Sequence, residues 1–99
     1  MMDPSASVFP RRTPTVSWEA IDRDATLLRV SDREVVRVNE VGARVWELAD
    51  GTRSLKTIAH ELTVEFDVTD ERALADAKSF VAELWELGAI DLSEQDPDR

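Results

Sequence analysis

Between Val16 and Val38 the apolar residues come in short bursts separated by polar groups. VSWEAI alternates Val16, Trp18 and Ala20 against Ser17, Glu19 and Ile21, TLLRV is compact and apolar, and VVRV is β-branched. The polar residues DRD at 22–24 and SDR at 31–33 fall between these runs. Short β-prone runs bounded in this way predict three strands joined by tight turns, an antiparallel meander. So small a sheet is not stable alone and needs a helical layer on one face.

After Asn39 the period changes from two to about 3.6. Asn39 is a good helix N-cap, Glu40 suits the positive end of the helix dipole, and Val41, Val45, Leu48 and Ala49 recur at helical spacing. Gly51 follows as a C-terminal glycine. Gly42, inside that helix, costs about 1 kcal/mol relative to alanine. Ser54 caps a second helix whose apolar face is Leu55, Ile58, Ala59 and Leu62. Thr69 caps a third, with Asp70 and Glu71 in its first turn and Gly88 beyond its end. AIDL at 89–92 returns to an extended form. The order β-β-β-α-α-α predicts an α+β domain over residues 15–92. A Pro- and Ser-rich arm at 1–14 is expected to be flexible, and 93–99 to form a solvated acidic tail.

The third helix carries two apolar stripes. Ala73, Ala77, Phe80, Leu84 and Leu87 suit a core, while Leu74, Lys78, Val81 and Trp85 lie beside them at i, i+4, i+7 and i+11. Either both stripes are core, with the Lys78 ammonium reaching out to water, or the second is one wall of an open groove. The third strand would be the other wall, because the first and third strands of a meander are edges unless the final extended segment covers one. Unpaired edges are normally protected, and Glu34 and Arg37 are charges that discourage self-pairing. An edge beside an apolar groove is also a receptor for an extended peptide. Four or five added backbone hydrogen bonds at about 0.5–1.5 kcal/mol each, with two anchors at about 1.5–3 kcal/mol each, suffice for micromolar binding against association losses of about 4 kcal/mol or more.

Composition narrows the chemistry. The 99 residues make one small domain with no cysteine, so disulfides, thiol chemistry and cysteine-based zinc sites are excluded. The lone histidine, His60, reads as a surface residue, and one histidine among scattered carboxylates does not propose a metal. Three glycines form no phosphate loop, and the carboxylates sit in first turns and on solvent faces. Catalysis and cofactors are therefore not expected. Trp18, Trp46 and Trp85 read as packing anchors. Without a signal peptide or an apolar run long enough to span a bilayer, a cytoplasmic protein is expected. Twenty-one acids against twelve bases give a net charge of −9, which a nucleic acid or an anionic membrane would repel.

The segment VNEVGARVWELADGTRSLKTIAHELTVEFDV, followed by DAKSFVAELWELGAI, resembles the PqqD-like family, named after pyrroloquinoline quinone biosynthesis protein D. The matching positions are Val38-Asn39, Ala43, Trp46, Asp50-Gly51, Ser54, Ile58 to Leu62, Glu65 to Val68, Phe80, Leu84 and Gly88. The likeness runs over residues 16 to 92, and it is specific as a set rather than piece by piece. It implies a winged-helix-like fold acting as a RiPP recognition element. Such domains take the leader of a ribosomally made precursor peptide as an added strand between the third strand and the third helix. They deliver it to a modifying enzyme, often a radical SAM protein and elsewhere a protease or cyclase. Under this resemblance Val35, Val36 and Arg37 would offer backbone groups to the leader, and Leu74, Val81 and Trp85 would contact its apolar side chains. Lys78 and Arg37 would pair with its carboxylates. Asn39, Trp46 and Gly51 would be structural.

Two other functions fit the element order. Helices two and three would pass as a DNA-binding helix-turn-helix, but five acids against two bases between Asp70 and Leu87 oppose an approach to phosphates. The third reading is a homodimerisation module whose edge strands pair with each other.

Overall fold

The computed structural model describes residues 7–22 and 25–94. Its elements are β1 (Phe9–Arg12), β2 (Ser17–Asp22), β3 (Ala25–Arg29), β4 (Val35–Asn39), α1 (Glu40–Leu48), α2 (Leu55–Glu65), α3 (Asp70–Glu86) and β5 (Ile90–Ser93). Strands β2, β3 and β4 are the meander expected from the sequence, antiparallel and in the order β2-β3-β4. The β3–β4 turn is closed by the Val30 N–H donating to the Glu34 carbonyl at 2.9 Å. A register shift between Ala20 and Asp22 marks an irregularity at the far end of β2. Most of the expected DRD turn lies outside the described residues.

The caps form as the sequence predicts. Asn39 Oδ1 accepts from Gly42 N–H at 2.8 Å, Ser54 Oγ from Thr57 N–H at 3.1 Å, and Thr69 Oγ1 from Arg72 N–H at 3.2 Å. Because Asn39 both ends β4 and caps α1, the chain passes from sheet to helix with no loop. Gly51 lies in the left-handed region at φ 86°. It sits two residues beyond the Ala49 C-cap, inside a turn held by Asp50 Oδ1, which accepts from the Thr52 N–H at 2.9 Å and its hydroxyl at 2.6 Å.

The N-terminal arm departs from expectation. Residues 1–6 lie outside the described residues, but Phe9–Arg12 is a strand rather than part of a flexible arm. It pairs antiparallel with β5 through Pro10 opposite Leu92 and Arg12 opposite Ile90. Its other side is bonded too: the Pro10 carbonyl accepts from Gly51 N–H, the Val8 carbonyl from Leu55 N–H, and Arg12 N–H donates to Ala49, each at 2.9 Å. Val8 and Pro10 are buried, so this strand closes one end of the core. Ser93, assigned from the sequence to the tail, is the last residue of β5.

Arg12 fixes the arrangement from a distance. Its Nη1 donates to the carbonyls of Trp46 and Glu47, at 2.8 and 2.6 Å, at the C-terminal end of α1. That helix has no basic residue in its own last turn, so the cation that offsets the negative end of its dipole comes from β1. The guanidinium also lies 5.4 Å from the Trp18 ring centre, and Trp18 meets Trp46 edge to face at 5.6 Å. The core packs Leu28 of the sheet with Trp46, Leu55, Ile58, Leu62, Val81, Leu84 and Ile90, all below 2% exposure.

Candidate functional site

β4 is an edge. β5, the segment that could have covered it, pairs with β1 instead, so among the described residues no strand pairs with the outer side of β4. Hydrogen-bonded and non-bonded pairs alternate along an antiparallel ladder. Starting from the bonded Val30–Glu34 pair, the register Leu28–Val36 and Thr26–Val38 makes those pairs the bonded ones. The N–H and C=O groups of Val35 and Arg37 therefore point outward, while those of Val36 are used within the sheet. Of the three residues expected to offer main-chain groups, Val35 and Arg37 have theirs turned outward and Val36 does not.

Side chains alternate as well. Val38 is buried beneath the helices and Val36 is half-buried, so these two face the core side. Val35, 45% exposed, and Arg37 lie on the opposite, solvent face.

A groove of about 780 Å³ opens where β4 ends. Asn39, Val41, Gly42 and Val45 form the wall on the α1 side, and Asp67, Val68 and Thr69 close the end before α3. The opposite wall is one strip of α3, namely Arg72, Asp76, Ser79, Phe80 and Glu83. These positions are i, i+4, i+7, i+8 and i+11, so they share a face of the helix. Gly42 lets the two walls meet at the floor. A Cβ on it would stand 3.0 Å from Phe80 Cε1 and 3.3 Å from Asn39 Oδ1.

The expected wall is on the other flank of α3. The core face of that helix is Ala73, Ala77, Val81 and Leu84, all buried. The groove strip lies to one side of it, and Leu74, Lys78 and Trp85 lie to the other, half-buried. Val81, at 0% exposure, is core and offers nothing to a partner. Leu74 borders a separate hollow of about 220 Å³ with Lys56, Ala59, His60 and Asp70, between α2 and α3. Within the second stripe, Leu74 lies toward α2 and Val81 toward the core. The open wall is largely polar, which is why an apolar-stripe criterion missed it. Phe80, read from the sequence as a core residue, is half-buried and lines the groove.

The charges of the groove are unequal. Arg72 Nε is 3.2 Å from Asp76 Oδ2, an i,i+4 pair that leaves this part of the wall near neutral. Asp67 and Glu83 make no ion pair among the described residues and add negative charge at the two ends. No group of His, Asp or Glu among the described residues could hold a metal ion. No helix among them is long and apolar enough to cross a membrane.

Fold and groove together define a helix-backed antiparallel meander whose β4 edge ends at a cleft. The model of the family described as coenzyme PQQ synthesis protein D (PqqD) matches residues 18–90, and the chain belongs to that family. Comparison with curated proteins finds no match. Among solved structures, the chain is similar to the PqqD truncation of Methylobacterium extorquens PqqCD, solved by solution NMR and described as a functional and stand-alone RiPP recognition element. The two share 22% identity with a TM-score of 0.73, over 89% of this chain and 94% of that one.

Proposed function

We propose that this protein captures the leader of a ribosomally synthesised precursor peptide as an added strand on β4 and presents it to a maturation enzyme. The observation that carries the reading is the outward-facing main chain of Val35 and Arg37 at an edge that ends in the groove between α1 and α3. Membership of the PqqD family and the likeness to a structure described as a recognition element support it. The protein's part is binding and positioning; bond-making belongs to the partner, for which a radical SAM protein, a protease or a cyclase is the expected class. Val35 and Arg37 supply hydrogen bonds, and Phe80 and Val41 supply apolar contact.

The test is titration calorimetry with the leader of the precursor encoded beside this protein. Saturable one-to-one binding is expected, weakened by about 1–3 kcal/mol in Phe80→Ala and unchanged in Lys78→Ala, which lies on the far flank. Heat signals no larger than those of a scrambled leader would refute the proposal.

A further inference from the structure

The groove is charged in a way that specifies its guest. This reasoning rests on the strand-addition reading above and extends it to the sequence of the leader. A guest strand beside β4 alternates its side chains between the two faces of the sheet. Guest residues opposite Val36 and Val38 point to the core side of the sheet, where the groove adjoins the strand at Asn39, and the residue between them stands opposite Arg37 on the solvent face. The groove that begins at Asn39 is lined by Phe80 and by the carboxylates of Asp67 and Glu83. Arg72 does not offset those two, because it is paired with Asp76. Asp67 precedes the Thr69 cap and Glu83 lies fourteen residues beyond that cap, about 21 Å along the helix. An extended peptide spans that length in about seven residues, four of which face the groove. The net charge of −9 acts in the same direction at longer range.

We infer that the groove selects a leader segment whose inward-facing residues are apolar side chains flanked by lysine or arginine, with an acidic residue turned outward opposite Arg37. Each paired carboxylate contributes about two- to fivefold in affinity at the exposed rim. Like charges in the same places would be disfavoured by a similar factor. This reverses the acidic leader that Lys78 would suggest, since Lys78 lies on the flank of α3 away from the groove.

Selection from a displayed library of random nonamer peptides on the intact protein tests the inference. Peptides retained by the wild type are expected to be enriched at least threefold in lysine or arginine two residues from an apolar position. The enrichment should disappear when the doubly substituted Asp67→Asn, Glu83→Gln protein is used. Both substitutions are at exposed positions, and circular dichroism checks that the fold survives. Retained peptides without a basic preference, or with an acidic one at the inward positions, overturn the charge inference while leaving strand addition standing. If the wild type retains no peptides beyond those held by an Arg37→Pro variant, which lacks an outward N–H, strand addition itself falls and the inference with it.

Discussion

Placing a proline at adjacent positions of β4 separates the two sides of the strand. Arg37→Pro removes an N–H that points away from β3, a place where edge strands tolerate proline. Val36→Pro removes one that bonds to Leu28, a residue with no exposure. The first should leave stability within about 1 kcal/mol of the wild type. The second loses a ladder bond and leaves a buried carbonyl unpaired, at about 2–4 kcal/mol. For leader binding the order reverses. Arg37→Pro forfeits an intermolecular bond worth about 0.5–1.5 kcal/mol and strands a leader carbonyl at about 1–3 kcal/mol. The expected loss is about 2–3 kcal/mol, roughly 30- to 150-fold in Kd. Arg37→Ala controls for the lost charge and should weaken binding only a few-fold. Urea unfolding gives the stabilities and calorimetry the affinities. A folded Arg37→Pro that binds the leader like the wild type would refute strand addition at β4.

Other outcomes follow from packing and charge. Gly42→Ala gains about 1 kcal/mol of helix propensity but must push the Phe80 ring aside, so unfolding should change little while leader affinity drops. Arg12→Ala strips the cation from the end of α1 and the stacking on Trp18. A loss of about 1–2 kcal/mol is expected in denaturant melts, with the signal carried by tryptophan fluorescence. Partial burial raises the Asp50 carboxyl, but the Thr52 hydroxyl and N–H and the Arg53 cation outweigh it and hold the carboxyl below its ordinary value. Its stabilising contribution is therefore complete above an unfolded pKa of about 3.9. It fades as pH falls through the lower folded value. Asp50→Asn should flatten the stability profile below about pH 4, and a profile parallel to wild type would remove Asp50 from the account.

The local signals are legible in the sequence. Asn39, Ser54 and Thr69 cap their helices because capping depends on a few neighbouring residues, and the meander follows from alternation and turn chemistry. Strand β1 was not readable: Pro10 argues against a strand, and its partners are Leu92 and the connection between α1 and α2, both far along the chain. Proline is accommodated because its carbonyl, which bonds Gly51 N–H, is the group in use. The groove flank of α3 is not legible for a related reason. Periodicity identifies the face toward the core but not which side of that face a neighbouring helix covers. Leu74, Lys78 and Trp85 looked like a site because they are apolar or basic beside the core, whereas Arg72, Asp76, Ser79 and Glu83 looked like ordinary solvent surface. The edge at β4 is legible because it follows from the order of the meander, although the β1–β5 pair is not.

The most direct test is hydrogen exchange at single amides of β4, measured by NMR with and without saturating leader. The Val35 and Arg37 amides should exchange rapidly in the free protein and slow by at least about tenfold in the complex. The Val36 amide, already bonded to β3, should change far less. Protection confined to Leu74, Lys78 and Trp85, with Val35 and Arg37 still exchanging freely, would contradict the account.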